Sequence, residues 1–585
     1  MAQVTSSARP TLSVNLPRRA TAWRVWAVCL GGAALVVRLS PGPLTVDDAF
    51  ITFRYARNLA EGLGFVYNAG ERVLGTTTPL HALLLAGSYG LGWQDLPRVA
   101  LTLSAFADSA IVVLVFWLGI RLGLSRGWAA LASALFALSP LSITFAVSRM
   151  ESSVFTLLAV GAIAADLAGR TGLAGFAAGL ATLTRPEGLL VGVLILGRHL
   201  LARQSPPRGL VLAFLASVVP WGVIATWWFG SPVPQTILAK SAAYDVQLVE
   251  NLSRLLLWLG PAGAASFIGV MYARTAIRRL RQEPWLWPVA GFAPVLLAGY
   301  FVGIVAGARL FPWYVVPIAP FCALGAAAGL RGVTENSSRA VACCTGAILI
   351  VATLLGLNLN RDPSRGALTP TLVNVVREEG YAAAARFLAP RLGPGAVVAL
   401  PEIGTFGYLT RAYVLDTVGL VSPKAVRFYP LPAGLSADNA IPSDLIEEED
   451  PDFLVGLDQF FQESLTESEW FRREYRLLAT FEARIWGSQA VVVYERVEED
   501  DSAGSTRYWR PSPEDRHQAG GGSGAGALAD AGFADVGEAG ITVGDQDPGG
   551  IAIGALSAAC GGGILPARCL WNLRSGESIL AGRAS

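Results

Sequence analysis

Two adjacent aspartates, Asp47 and Asp48, open the polar stretch that follows the first apolar run of the chain. A helix is predicted from Ala49 to Ala60, and Gly62 should end it, because glycine readily adopts the left-handed conformation of helix termini. One interpretation is structural: Asp47 caps this helix and Asp48 complements its dipole. The other is chemical: a carboxylate there can take a proton from a hydroxyl group as that hydroxyl attacks an electrophilic carbon. Both can hold, since a cap fixes the carboxylate in place.

Two further turns place carboxylates beside arginines. Glu151 follows Arg149 at the end of one apolar run, and Glu187 follows Arg185 between two short ones. Charges close to apolar segments are costly and tend to mark functional sites. Each group can also be a structural ion pair, and for Glu187 that reading is an equal alternative.

Two cations are suited to bind a phosphate group. Lys240 is one of only two lysines in the chain and follows a turn-rich segment beside an apolar run. It can act as a point charge for a lipid phosphate, or simply extend its ammonium group toward water. Arg309 is the second candidate, because it precedes Trp313 and Tyr314, which are typical of an interfacial aromatic belt.

The composition excludes several classes of protein. Hydrophobic residues make up 53% of the 585 residues and charged residues 15%, against about 25% charged residues in soluble domains. Mean hydropathy is +0.47, so a cytosolic enzyme is excluded in favour of a multi-spanning membrane protein. The net charge of +1 gives no reason to expect nucleic acid as a partner. With three histidines and no CxxC motif, acid–base chemistry must depend on carboxylates.

Apolar runs predict an α-helical protein with about eleven membrane spans, preceded by a cytoplasmic N-terminus of residues 1–21. The spans are predicted at 22–40, 96–120, 127–147, 152–168, 172–185, 187–201, 209–229, 252–273, 285–306, 312–330 and 340–357. The short loops that this alternation places inside carry the arginines, in agreement with the positive-inside rule. The orientation therefore puts the acid-bearing turns on the extracytoplasmic side of the plasma membrane.

Residues 79–92 are apolar but too short to cross a bilayer, which takes roughly 17–25 residues. We predict that they form a helix in the outer interface, with Thr78 as the N-cap and Pro79 at the first helical position. The paired spans within 172–201 are also short, so one or both are predicted to be broken or re-entrant.

The chain is predicted to contain three regions after its cytoplasmic start. They are a membrane domain at 22–357, which includes the first external loop at 41–95, an extracytoplasmic α/β domain at 358–499, and a disordered Gly/Ala-rich tail at 500–585. Candidate strands of the α/β domain are 396–400, 412–416, 452–456 and 490–497. Because these strands alternate with helices, the sheet should be mostly parallel.

Several motifs resemble those of a known enzyme family. The longest is DDAFITFRYARNLAEGLGFVYNAGERVLGTTTPL at 47–80. The shorter ones are RMESS at 149–153, LTRPEG at 183–188, PVPQTILAK at 232–240, PWYVVP at 312–317 and LDTVGL at 415–420. Together they resemble actinobacterial GT-C glycosyltransferases, in particular the arabinofuranosyltransferase B type, which are terminal β-(1→2) arabinofuranosyltransferases.

The resemblance implies a membrane enzyme that moves a sugar from a polyprenyl-phosphate donor to an extracytoplasmic cell-envelope glycan or glycolipid, with inversion. The sugar would be arabinofuranose or a hexose such as mannose, and Asp47 or Asp48 would be the catalytic base. The candidate substrate-binding residues are Arg54, Glu151, Arg185, Glu187, Lys240 and Arg309. Lys240, Arg309, Arg149 or a divalent cation such as Mg²⁺ or Mn²⁺ would balance the charge of the leaving phosphate.

A binding or scaffolding protein whose outer domain is the active part is one alternative, although it would explain the acids of the first external loop only as helix caps. Two other functions also fit a chain with many spans. A lipid or solute transporter, such as a flippase, would more often show inverted repeats or charges at the bilayer midplane. No repeat is visible in the sequence, and the acids cluster at one predicted face. A protein O-glycosyltransferase is the second alternative.

Overall fold

The computed structural model describes residues 20–39, 46–202, 205–244, 248–255, 286–305, 309–336, 375–432 and 434–497. Helices α1 to α13 are Ala20–Leu39, Asp47–Ala60, Pro79–Gly90, Leu96–Arg121, Arg126–Ala137, Pro140–Val147, Ser152–Leu167, Thr171–Thr184, Gly188–Leu201, Arg208–Phe229, Gln235–Ala243, Trp287–Val305 and Ala319–Asn336. The 3-10 helix Pro312–Ile318 leads into α13. The predicted tail at 500–585, the span at 340–357 and most of the span at 252–273 lie outside the described residues.

Within these ranges, four helical segments are long and apolar enough to cross a membrane. They are Leu96–Arg121, Arg208–Phe229, Trp287–Val305 and Pro312–Gly332, and each coincides with a predicted span. A fifth span results if α5 and α6 are counted as one, although they bend by 53° at their junction. Helices α7, α8 and α9 are apolar but shorter. The protein is therefore a helical molecule with several apolar helices, and the total of eleven spans stays a prediction.

The first polar stretch folds much as its local signals indicate. Helix α2 begins at Asp47 itself, with Val46 as the N-cap, and Gly62 takes a positive φ of 84° just beyond its end. Helix α3 begins with Thr78 at the N-cap and Pro79 in its first turn, as predicted. Proline is favoured there because its missing N–H group would have no helical partner.

A sheet domain, residues 375–497, follows the helical part. Its helices α14 to α18 are Val375–Leu388, Gly404–Thr410, Ser443–Glu449, Gln459–Gln462 and Glu469–Glu474. Its strands β1 to β5 are Val397–Leu400, Tyr413–Asp416, Phe453–Leu457, Tyr475–Ile485 and Ser488–Arg496. The strand order is β2-β1-β3-β5-β4.

The sheet is mixed, although its helix–strand alternation predicted a mostly parallel one. Strands β2, β1 and β3 are parallel, whereas β5 is antiparallel to both β3 and β4. The four predicted strands are present, and β4 is additional. Strands β4 and β5 form a hairpin whose turn residues Trp486 and Gly487 have φ values of 53° and 97°. Two consecutive positive φ values suit the twist of a tight hairpin, but Trp486 is an unusual residue there, so the turn is not apparent from composition.

Helix α2 docks directly on helix α15 of the sheet domain. The Asp47 carboxylate accepts hydrogen bonds from the backbone N–H groups of Gly404 (2.8 Å) and Thr405 (2.7 Å). Asp47 thus caps α15 rather than its own helix. A Cβ atom at Gly404 would overlap the Asp47 carbonyl, so only glycine allows this close approach.

Two arginines of α2 extend the same interface. Arg54 donates to the carbonyls of Gly407 (3.0 Å) and Ala412 (2.7 Å), and Arg57 donates to the carbonyl of Tyr408 (2.9 Å). All these groups are buried or nearly so. Carbonyl oxygens at the end of a short helix carry partial negative charge, which suits a buried guanidinium.

A charged cluster surrounds the Asp47 contact. The backbone N–H of Asp47 donates to Glu378 (3.1 Å), which also accepts from Thr405 Oγ1 (2.9 Å) and Arg377 (2.6 Å). Arg377 bonds Glu402 as well. Burial raises the pKa of Asp47, and it raises the pKa of Glu378 to about 7, although Arg377 opposes both shifts. The interface therefore concentrates carboxyl groups around a single cation.

We expect Gly404→Ala to lower the thermal unfolding midpoint, because the added methyl group forces α15 away from Asp47. Losing two hydrogen bonds to a charged acceptor costs about 2–5 kcal/mol of unfolding free energy. Gly393→Ala is the matched control, because a Cβ there meets no heavy atom within 4 Å. Intrinsic tryptophan fluorescence of the detergent-solubilised protein reports both midpoints. Equal midpoints for the two variants would contradict the docking role.

We expect Glu378 to make the protein more stable at pH 6 than at pH 8. A carboxyl with a pKa of about 7 in the folded chain, against an ordinary value of 4.5, binds its proton more tightly in the folded state. Its contribution therefore favours folding as the pH falls, by at most about 1.4 kcal/mol per pH unit. Glu378→Gln, which mimics the protonated form, should reduce the loss of stability between pH 6 and pH 8. The exposed Glu447→Gln should leave that loss unchanged, and the idea fails if both variants behave alike.

Candidate active site

A cavity of about 220 Å³ lies where the first polar stretch meets the helical bundle. Its walls come from the first turns of α2, the segment 75–78, the turns at 150–151 and 185–187, and helix α11. Trp313 and Tyr314 of the 3-10 helix add aromatic surface, and Leu420 comes from the sheet domain. Polar and charged groups thus face a space that is partly apolar.

Asp48 and Lys240 both line this cavity and form an ion pair there. The Asp48 Oδ2 atom lies 3.4 Å from Lys240 Nζ, and the two side chains are 34% and 18% exposed. Lys240 also lies over the Phe311 ring, 4.4 Å from its centroid. Burial opposes the charge on Lys240, but Asp48, Tyr314 and Tyr244 together raise its pKa. The lysine is therefore a fixed cation beside an accessible carboxylate.

Asp47 does not line the cavity. Its side chain is buried against Gly404 and Thr405, whereas Asp48 reaches the cavity. Successive residues of an α-helix point about 100° apart, since a turn takes 3.6 residues. The two adjacent aspartates consequently contact different parts of the protein. Asp47 binds the start of α15, and only Asp48 reaches the other cavity groups.

The two predicted turns that place an acid beside an arginine also meet at this cavity. Arg185 donates to Glu151 (3.2 Å) and to Glu187 (2.9 Å), and all three residues line the cavity. Tyr300 Oη also donates to Glu187 (3.3 Å). The Arg185 guanidinium lies 4.8 Å from the centroid of the Tyr314 ring. One cation between two carboxylates leaves this wall with acceptor capacity for hydroxyl groups.

Three sequence candidates lie away from the cavity walls. Arg54 holds the α2–α15 interface. Arg309 forms an ion pair with Asp438 of the sheet domain and lies over the Tyr244 ring. Arg149 is 2% exposed and has a positive φ of 67°. Their assignment to substrate binding stays a prediction.

Some of the other cavity residues were not predicted as site residues from the sequence. Hydroxyl groups of Thr52, Thr78 and Thr76 form a hydrogen-bonded chain with separations of 3.2 and 3.0 Å. The run of three threonines before Pro79 was the signal available for them. Leu420 had no such signal, because its place depends on how the sheet domain docks. Among the described residues, no three His, Cys, Asp or Glu side chains are grouped to hold a metal ion.

Comparisons with known proteins find one family model and two curated relatives that match parts of the protein. A family model described as a domain of unknown function, DUF8728, matches residues 373–494, the sheet domain. The terminal β-(1→2)-arabinofuranosyltransferase of Mycobacterium tuberculosis is 33% identical over 221 residues, 34% of this chain and 35% of that protein. The enzyme of the same name from Corynebacterium glutamicum is 30% identical over 260 residues, 37% of each chain.

Two solved structures are also similar. Both are ArnT from Cupriavidus metallidurans, one bound to undecaprenyl phosphate and one in the apo state. Each is 16% identical and covers 81% of this chain and 98% of its own, with TM-scores of 0.48 and 0.49.

The matched region spans about a third of the length of the curated relatives. Over that region, the similarity to terminal arabinofuranosyltransferases indicated by the motifs is confirmed.

Proposed function

We propose that this protein is a membrane glycosyltransferase that moves a sugar, arabinofuranose in the first instance, from a polyprenyl-phosphate donor to a cell-envelope glycan. The observation that carries the proposal is the Asp48–Lys240 pair at one cavity, 3.4 Å apart. The pair supplies a base for the acceptor and a cation for the leaving phosphate. Sequence similarity to terminal β-(1→2)-arabinofuranosyltransferases supports this assignment.

Asp48 is the proposed general base. It is the partly exposed carboxylate of the aspartate pair and lines the cavity. The acceptor hydroxyl gives its proton to the carboxylate while its oxygen bonds to the anomeric carbon. The bond from that carbon to the phosphate oxygen breaks in the same displacement, so the configuration inverts.

Lys240 is the proposed phosphate ligand. Negative charge grows on the phosphate oxygen as the bond to the sugar breaks, and a preorganised cation stabilises that charge. Arg309 is the weaker candidate, because Lys240 lines the cavity whereas Arg309 does not and is paired with Asp438. Arg185 lines the cavity but lies between Glu151 and Glu187, so its charge is largely neutralised.

The acids of the cavity wall suit the sugar itself. Glu151 and Glu187 are held by Arg185, and the threonine hydroxyls lie on the same cavity. Such groups can accept and donate hydrogen bonds to sugar hydroxyls. Their fixed positions would orient the sugar within the cavity that Asp48 and Lys240 line.

The proposed orientation places the cavity and the sheet domain on the extracytoplasmic side of the plasma membrane, with the N-terminus in the cytoplasm. The distribution of arginines among the predicted loops supports it. A lipid-linked donor would then reach the cavity from the membrane, and the glycan acceptor would arrive from the aqueous side.

We expect Asp48→Asn to lower the turnover of purified protein by about 100-fold or more, since a positioned base contributes a factor of 10²–10⁴. Its unfolding midpoint should fall less than that of Asp47→Asn, because Asp48 loses one ion pair with Lys240 but is not part of the α15 interface. Asp47→Asn is the matched control and should lower the midpoint, since an amide cannot accept from both N–H groups. Radiolabelled polyprenyl-phosphoryl arabinofuranose with a synthetic arabinan acceptor measures transfer. Full activity of Asp48→Asn would refute this base.

We expect Lys240→Met to lower turnover by about 100-fold, because one preorganised charge contact is worth a few kcal/mol in the transition state. Lys240→Arg should keep part of the activity, since the charge remains while the geometry changes. Arg309→Met should retain more activity than Lys240→Met. The reverse order would move the phosphate to Arg309. Wild-type rates for both methionine variants, with loss of activity in chelator, would transfer the role to a divalent cation.

A further inference from the structure

We infer that the 416–421 loop of the sheet domain forms the acceptor side of the cavity, and that Leu420 determines which acceptors fit. This inference rests on the proposed glycosyltransferase function. Among the described residues that line the cavity, Leu420 is the one contributed by the sheet domain. A domain that follows the helical bundle in sequence thus forms part of the reaction space.

The loop is held by a buried carboxylate at its first residue. Asp416 is the last residue of β2 and is fully buried. Its Oδ1 accepts from the N–H of Val418 (2.9 Å), and its Oδ2 accepts from the N–H of Val421 (2.8 Å). These bonds bracket Leu420 within a tight turn, in which Gly419 has a φ of 95°. The loop is therefore a preorganised element, and Asp416 is its positioning residue.

The loop also packs closely on the helical part. A Cβ atom at Gly75 would lie 2.7 Å from the Leu420 carbonyl oxygen and 2.6 Å from Val421 Cγ1. The Gly419 carbonyl accepts from Gln235 Nε2 (3.3 Å) at the start of α11, the helix that carries Lys240. The same loop thus contacts two of the segments that contribute polar groups to the cavity.

The two substrates, donor and acceptor, need different cavity walls. The phosphate-binding cation comes from α11, whereas Leu420 offers only an apolar side chain. An apolar wall cannot bind a charged phosphate, but it can contact the C–H face of a sugar ring and limit its size. Such pockets discriminate by shape, with factors of about 10–200 for small changes in volume. We therefore assign this wall to the neutral glycan acceptor.

The test compares Leu420→Trp and Leu420→Ala with wild type, using polyprenyl-phosphoryl arabinofuranose and two acceptors, an arabinofuranosyl disaccharide and a linear hexasaccharide. Leu420→Trp should lower kcat/KM for the hexasaccharide by about 10-fold or more. The disaccharide should lose less than about threefold, and the KM for the donor should stay within about twofold. Leu420→Ala should shift the preference toward the hexasaccharide.

Two further variants separate positioning from general damage. Asp416→Asn should raise the acceptor KM several-fold while leaving the donor KM unchanged, because an amide cannot accept both loop hydrogen bonds. Leu409→Ala, in a buried residue of α15 that is not among the cavity residues, should leave the acceptor ratio at the wild-type value.

The outcomes distinguish this inference from the function on which it rests. If wild type transfers to neither acceptor, the proposed function is wrong. If wild type transfers but the Leu420 variants keep its acceptor ratio, or their donor KM rises in parallel with the acceptor KM, the assignment of the wall is wrong.

Discussion

The contact between Asp47 and the start of helix α15 is the constraint on which the candidate site depends. Its two short hydrogen bonds join α2 to a domain that begins more than three hundred residues later. Because Asp48 is the next residue of the same helix, the orientation of the proposed base follows from this contact. A side chain at position 404 would overlap the Asp47 carbonyl, so the contact requires glycine there.

Around that contact, polar side chains of the interface bind backbone groups of the sheet domain. Arg54 and Arg57 bind backbone carbonyls rather than carboxylates, and Asn68 pairs with both backbone groups of Val414 at the sheet edge (2.9 and 3.1 Å). Side chains that satisfy backbone groups fix position as well as distance, since buried polar groups tolerate few other arrangements. The apolar contacts of Phe50 and Phe53 with Tyr408 then add area to a geometry already determined.

Local signals predicted much of the fold. Thr78 and Pro79 marked the start of α3, and the alternation of short apolar runs indicated four of the five strands. Strand β4 was missed because its hairpin turn lacks a recognisable dipeptide. Residue types and the predicted faces of the spans were enough to select five candidates that the structure brings to one cavity. They are Asp48, Glu151, Arg185, Glu187 and Lys240. Asp47, Arg54 and Arg309 each have partners in the sheet domain, and no local pattern encodes a contact over such sequence separations.

The separation of Asp47 from its partners has a consequence for biogenesis. Gly404 follows Asp47 by 357 residues, and a ribosome adding about 5–20 residues per second takes roughly 20–70 s to cover that distance. During this interval α2 has been made, but its buried arginines and its capping aspartate have no protein partners from the sheet domain. The site is therefore assembled only after the start of the sheet domain has been made, so products that end before it carry the proposed base without the support that orients it.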